Sequence, residues 1–540
     1  MIKEKQLSTL KDEIYFALSL IKFETKEIFY VIVYASIIGV LSFLATLSIQ
    51  FLINSISFTG QTYPVILLSA TTVIILLFIS ALQLIQKIAV EKIEQRLLVR
   101  LSLISVDSLS HSSLEKSDWS RTLIVHRFFD VFNYQNQLTK LLLEGLALAV
   151  ITLIGLLFII FYHPLLAVLV LVIFIAFSAV VFSFFKPGIE TRYKQSDEKY
   201  KLASWISFIA ESRNLFRSHK NHDFAIFQTD NQAKKYLSQR QNHFNICLWQ
   251  QGFLYFLQAV GAGVFLGAGG LFVIMGKINL GQLIAVEFIV LGVLYGIASF
   301  GRSLESFYTL VVSAKKMAPL MKGFELSSEN NYFSATPTEE NFEIKVTSNL
   351  LKKDYNFLLG DRVVLTGGDG FSRRSFLWHF ASLMDSDKYH VKLSNIGWNL
   401  LPIAWKKEDI FFVDRPTVFD IDLAYNVTLK RKSAIFSSSS AAFSELPEFF
   451  KGIYEHLASG SAYNWADDPR TRLYVSLFRS VMTESRIILI DYLFDELSQK
   501  QQEEFLNFFR NHFPQKLLII NSNSSSKSKL WTQEVQWIQD

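Results

Sequence analysis

At 540 residues, half of them hydrophobic and 14% aromatic, the chain is too apolar for an ordinary soluble protein and long enough for two or more domains. A net charge of +5 is small for that length and provides no electrostatic footprint for nucleic acid. Cys247 is the only cysteine, which excludes an intramolecular disulfide and suits a reducing compartment.

Residues 1–28 combine Lys3, Lys5, Lys11, Asp12 and Glu13 with apolar positions at helical spacing, which predicts an amphipathic elbow on the inner membrane surface. Six apolar runs follow, near 29–52, 64–86, 139–162, 164–185, 252–276 and 279–300. Each is long enough to cross the ~30 Å hydrocarbon core. The first run has no small-residue cleavage site and reads as a retained span rather than a signal peptide.

Segments 87–138 and 187–250 are long and carry Lys87, Lys92, Arg96, Arg100, Lys186, Arg192 and Lys194 at or near their openings, whereas the short loops between the other spans hold a single Lys277. The positive-inside rule therefore places both long segments, the N-terminus and everything after residue 310 in the cytoplasm. From Gln83 to Ile104 apolar residues keep helical spacing while the other face becomes charged, so the second span should continue as a helix into the cytosol. Segment 187–250, opening at Pro187-Gly188, repeats this behaviour. Short crossing helices are expected within 108–128 and 204–219.

Span five, with Gly261-Ala262-Gly263 and Gly267-Ala268-Gly269-Gly270, has the small residues that let helices approach closely. Glu144 and Glu287 fall inside apolar runs, where an ionisable group is costly. Each is a candidate for a translocation path or a proton carrier. Glu144, close to the inner boundary, reads rather as a helix-orienting residue, whereas for Glu287 the two readings stand level.

Residues 321–341 are polar and apolar-poor, a linker between a membrane domain at 29–320 and a C-terminal domain at 342–540. In the latter, strand-like runs at 342–346, 356–359 and 362–366 alternate with helical patterns down to Leu517-Leu518-Ile519-Ile520, which indicates an α/β fold. Ser437 to Ser440 forms a low-complexity patch that reads as a loop.

The third run leads into Thr366-Gly367-Gly368-Asp369-Gly370-Phe371-Ser372-Arg373-Arg374. A phosphate loop spells G-x-x-x-x-G-K-[ST]: glycines let backbone N–H groups close on the phosphates, the Lys reaches the outer phosphates and the hydroxyl holds Mg²⁺. Registered on Gly367 and Gly370, Ser372 stands for the last Gly, Arg373 for the Lys and Arg374 for the hydroxyl residue. Downstream, Arg486-Ile487-Ile488-Leu489-Ile490-Asp491 is an apolar strand ending in a carboxylate.

With six spans ahead of these motifs, the chain resembles an ATP-binding-cassette (ABC) exporter half. Gly276-Lys277-Ile278-Asn279-Leu280-Gly281-Gln282-Leu283 and the helix after Arg302 are similar to the type-one secretion and bacteriocin-export group without a peptidase domain. The resemblance covers roughly residues 10–530 and implies six transmembrane helices with long cytoplasmic extensions fused to a P-loop-type α/β nucleotide-binding domain.

In that family Asp491 would hold Mg²⁺ through water and the next residue would be a catalytic Glu. Here it is Tyr492, whose phenol, with a pKa near 10, is a poor base at neutral pH. Asp495 and Glu496 occupy the D-loop region. The signature LSGGQ is replaced by Asp467-Asp468-Pro469-Arg470-Thr471, or by a frame starting at Trp465-Ala466, and neither offers the glycines. Asp467 or Asp468 followed by Pro469 is instead a good helix start. Asp414 stands for the loop glutamine, Ile520-Asn521-Ser522-Asn523-Ser524 lacks the switch histidine, and Tyr355 is the available adenine-stacking aromatic.

The resemblance thus implies a multi-pass protein of the bacterial inner membrane, working as a homodimer or as a heterodimer with another exporter half, on a peptide, protein or other substrate. Its nucleotide site at Gly367, Gly370, Ser372, Arg373, Arg374 and Asp491 is degenerate. No catalytic residue is expected, and ATP and Mg²⁺ binding should be weak or absent. The alternatives left open are a non-transporting scaffold or regulator of a secretion system and a proton-coupled transporter on the same fold.

Overall fold

The computed structural model describes residues 10–58, 62–111, 121–162, 164–326, 342–384, 386–394, 396–398, 401, 403–419, 423–429, 446–459, 468–523 and 529–537. It divides into two units, Met1–His111 with Asp118–Ser328, and Glu329–Asp540 with Ser112–Ser117.

The first unit is helical: α1 (Leu10–Ser19), α2 (Thr25–Phe58), α3 (Thr62–His111), α4 (Arg121–Phe128), α5 (Asp130–Lys140), α6 (Leu146–Tyr162), α7 (Pro164–Glu211), α8 (His219–Ile274) and α9 (Leu280–Leu326). Among the described residues, six segments are long and apolar enough to cross a membrane: Thr25–Ile56, Thr62–Leu109, Val125–Ile159, Val168–Glu211, His219–Ile274 and Leu280–Met321. They overlap the six expected runs one for one, and the chain is a multi-pass membrane protein.

Helices α3, α7 and α8 have 50, 48 and 56 residues, roughly 70–85 Å at 1.5 Å per residue. That is more than twice the ~30 Å hydrocarbon thickness, so helix continues well beyond the bilayer, as the charged-face periodicity indicates. Pro187 lies inside α7 without ending it. The neighbouring Gly188 lets α7 sit against the Tyr308 ring, since a Cβ there would lie 2.6 Å from Cζ of that ring.

The second expected crossing helix takes another form. Helix α7 runs on to Glu211, a 3-10 turn spans Arg213–Phe216, and α8 starts at His219. Trp205 gathers Phe208, Phe216 and Phe224, with ring centroids 5.8, 6.1 and 6.4 Å away. This aromatic cluster keeps α7 helical to the turn. In the first excursion, residues 112–120 lie outside the described residues and α4 follows.

The elbow helix α1 packs inward. Ala17 is fully buried, and its carbonyl accepts a hydrogen bond from the Tyr134 hydroxyl at 2.7 Å. Lys315 of α9 reaches the Glu13 carboxylate at 2.5 Å. Helix α9 runs through Leu326, so part of the polar stretch assigned to the linker is helical; residues 327–341 lie outside the described residues, as does 437–440.

The second unit holds β1 (Glu343–Thr347), β2 (Tyr355–Leu358), β3 (Arg362–Gly367), β4 (His390–Leu393), β5 (Ile396–Gly397), β6 (Ile410–Val413), β7 (Ile487–Asp491), β8 (Leu517–Asn521) and β9 (Gln533–Trp537). One sheet is antiparallel with order β2-β1-β4-β5. The other is parallel with order β6-β7-β8-β3-β9. Its helices are α10 (Gly370–Phe380), α11 (Ile403–Asp409), α12 (Leu423–Thr428), α13 (Glu448–Ser459), α14 (Pro469–Met482) and α15 (Gln499–His512).

Strands β7 and β8 are buried at every position, as expected of central parallel strands covered on both faces. Alternation sends Ile487, Leu489, Leu517 and Ile519 into one core with Phe376, Phe380 and Trp398. Ile488, Ile490, Leu518 and Ile520 enter the other with Phe450, Phe478 and Phe505. Arg486 grips Asp409 with two bonds of 2.6 and 2.9 Å, fixing the start of β7 to the end of α11. The carboxyl ends of β3, β7 and β8 meet at one edge, where ligands bind in open α/β sheets.

Candidate functional site

Three backbone features build this edge. Gly367 and Gly368 have φ of +73° and +52°, a left-handed turn that glycine adopts without steric cost and that brings the chain from β3 into α10. Asp491 at the end of β7 and Asn521 at the end of β8 are register partners. Between Asp491 and the next 3-10 turn, Tyr492 holds φ +59°, an uncommon conformation for an aromatic residue and a local strain of the kind found at functional sites.

Gly367, Gly370, Ser372, Arg373, Arg374 and Asp491 do converge here. Arg373 is only 3% exposed, and its guanidinium turns toward its own chain. Nε donates to Asn521 Oδ1 at 2.7 Å, Nη1 to the Gly367 carbonyl, and Nη2 to Asn523 Oδ1 at 2.5 Å and the Tyr492 hydroxyl at 3.3 Å. Arg374 Nε meets Asp491 Oδ2 at 2.5 Å, and Asn521 Nδ2 donates to Asp491 Oδ1 at 2.7 Å. Both oxygens of Asp491 therefore have protein partners. Burial holds its carboxyl above the usual carboxylate range, with the bonds from Asn521 and Arg374 pulling the other way.

The N-terminus of α10 is closed by a residue that motif matching passed over. Asp369 Oδ1 accepts from the Phe371 and Ser372 amides at 2.7 and 2.9 Å, and Oδ2 from the Ser372 hydroxyl at 2.5 Å. The hydroxyl bond, then the amide bonds, hold its carboxyl below the usual range. Aspartate at an N-cap is among the strongest helix-start signals, so this residue was legible from the Asp-Gly-Phe-Ser order. The start of α14 repeats the device: Asp468 accepts from the Arg470 and Thr471 amides at 3.1 Å each, with Pro469 in the first turn, as the sequence indicated. Asp467 and Trp465-Ala466 lie outside the described residues.

The Tyr492 hydroxyl packs over Gly370, where any Cβ would collide with it. Asp495 is fixed too, accepting from the Ser522 hydroxyl and the Asn523 amide, the latter at 2.8 Å. Tyr355 is buried in the core and its hydroxyl accepts from the Gln536 amide at 3.1 Å. It presents no face for stacking a base, which corrects that expectation. In the membrane unit, Glu144 is exposed on a π-helical turn (Leu141–Gly145), and Glu287 is half-buried on α9. They sit on separate elements.

A solved structure, that of a bacterial Atm1-family ABC exporter with ATP bound, superposes with a TM-score of 0.70, covering 92% of this chain and 91% of that one at 13% sequence identity. The chain has the ABC exporter fold. No protein-family model and no curated protein sequence matches it. The second unit is the C-terminal α/β domain of this fold.

The side chains at the strand-end cluster do not fit ATP and Mg²⁺. Two amides at the α10 N-terminus, the natural anion-binding groups, already donate to a carboxylate. The cation at the Lys position is buried in bonds to its own chain. The carboxylate that would face the metal is bonded on both oxygens.

Proposed function

We propose that the chain is a membrane subunit of an exporter, taking part in transmembrane movement of a peptide, protein or other substrate, with a cassette that does not hydrolyse ATP. The fold and the six membrane-length helices support the transport half of this proposal. The bonding of Arg373 to Asn521, Gly367 and Asn523 supports the other half. Lost phosphate contacts cost on the order of 10²–10³ in rate each, and here two amides are taken by Asp369 while Arg373 and Tyr492 stand at the Lys and Glu positions. Export would then draw its energy from a partner subunit with a complete phosphate loop, the two chains forming a heterodimer in a bacterial inner membrane with both cassettes in the cytoplasm.

The test is Mg²⁺-dependent ATP hydrolysis by the purified chain in nanodiscs, beside Arg373→Ala. Turnover no greater than that of empty nanodiscs is expected. Robust hydrolysis abolished by the substitution would make this an ordinary ATP-driven exporter. Crosslinking in the native membrane should recover a second exporter half; recovery of the chain only as a homodimer would refute the partner requirement.

A further inference from the structure

We propose that the phosphate loop is permanently closed by ligands from its own chain: Asp369 stands in for the anion at the head of α10, and Arg374 for the cation that would link the loop to Asp491. This rests on the proposal that the cassette does not turn over ATP, and it adds that the site is occupied rather than merely stripped of catalytic groups.

The surrogate anion is defined by its bonds. A helix N-terminus attracts negative charge because its first amides lack intrahelical partners. In α10 the Asp369 carboxylate takes the Phe371 and Ser372 amides and the Ser372 hydroxyl. A phosphate oxygen arriving there would have to displace that carboxylate and would be repelled by it. The surrogate cation is equally specific. Arg374 stands where a hydroxyl would hold Mg²⁺, and it places Nε 2.5 Å from Asp491 Oδ2. A divalent ion would have to break an ion pair whose carboxylate is fully buried.

Tyr492 completes the closure. Its ring lies beside both guanidinium groups, 6.0 Å from that of Arg373 and 5.2 Å from that of Arg374, and its hydroxyl covers Gly370. The two arginines and the two aspartates, Asp369 and Asp491, cancel in charge. An incoming triphosphate therefore meets no net positive field, whereas a working loop offers a Lys and a divalent ion. The closed loop gives the cassette one state at any ATP concentration, so the conformation of this subunit would follow its partner and not its own nucleotide.

The experiment uses the full chain in nanodiscs, with a fluorescent ATP analogue and Mg²⁺ as probes. Asp369→Gly together with Arg374→Ser frees the two amides and one Asp491 oxygen and restores a hydroxyl. The unaltered chain should show no saturable binding at millimolar analogue. The double variant should bind at least about tenfold tighter than the unaltered chain and only with Mg²⁺, a free-energy gain of about 1.4 kcal/mol or more.

Equal, tight binding by both chains would overturn the closure, and the non-hydrolysing cassette would then stand or fall on the hydrolysis assay alone. No binding by either, with the variant melting cooperatively, would overturn the closure alone and leave the proposed function standing. A second arm needs no substitution. With the analogue present, the melting temperature of the unaltered chain should be unchanged by adding Mg²⁺, which such sites hold through one or two carboxylates together with the substrate phosphates. A rise with Mg²⁺ would mean that Asp491 is open to the metal, overturning the closure even if the double variant fails to fold.

Discussion

Replacing Arg373 by alanine separates a ligand-facing cation from an architectural one. In an ordinary phosphate loop the cation points at the nucleotide, so its loss impairs binding and leaves the empty domain nearly as stable, within about 0.5 kcal/mol for a surface change. Here Arg373 ties the β3 turn to the ends of β7 and β8, and its removal strips partners from Asn521, which is fully buried, as well as from the Gly367 carbonyl and Asn523. A buried group left without its hydrogen bond costs about 1–3 kcal/mol.

For a domain of about 200 residues each kcal/mol moves the melting temperature by about 2–4 °C. Arg373→Ala should therefore lower the cassette transition by about 2–12 °C in calorimetry of the chain in nanodiscs. Hydrogen exchange should rise at residues 362–380. A shift below about 2 °C, with unchanged exchange there, would show that the guanidinium is not part of the domain's framework and would refute the argument.

Gly370→Ala should destabilise the cassette by about 1–3 kcal/mol through collision with the Tyr492 hydroxyl. Adding Tyr492→Phe should restore most of the loss, and additive effects in denaturant titrations would contradict the contact. Because burial raises the Asp491 pKa above the ordinary value of about 3.9, its contribution to stability is complete below the unfolded pKa and lost as pH rises through the folded one. Arg374→Ala removes the compensating ion pair and raises that pKa further, so melting temperature should fall more as pH rises above about 4 than in the unaltered chain; parallel profiles would count against it. Tyr134→Phe leaves the Ala17 carbonyl without its 2.7 Å bond and should cost about 1 kcal/mol, with faster protease cleavage around α1; unchanged cleavage would show that the elbow is held by other contacts. Gly188→Leu should prevent α7 from seating on Tyr308, lowering the yield of folded protein in detergent, whereas normal yield would disprove the close approach.

The membrane helices, the alternating α/β pattern and the order of the cassette motifs were legible in the sequence because each is local. Hydropathy over about 20 residues marks a span, and short continuous apolar runs mark the buried strands. The N-cap at Asp468 was legible for the same reason, and the one at Asp369 could have been, since a cap needs only the residues that follow it. The absence of a Lys after the loop and of a Glu after Asp491 was likewise plain.

What Arg373 and Arg374 do instead was decided by tertiary structure. Asn521 and Asp491 are 30 residues apart and Asn523 is 150 from Arg373; parallel pairing of β8 with β7 on one side and β3 on the other brings them together. The same holds for Tyr492, whose hydroxyl meets Gly370 across the loop, and for Tyr355, an aromatic at a plausible position that the fold buries in the core. A motif states which chemistry is missing from a position. Only the packing of strand ends against one another determines what fills it, because side-chain bonds between distant segments depend on register and on backbone direction, and neither leaves a periodic trace in the chain.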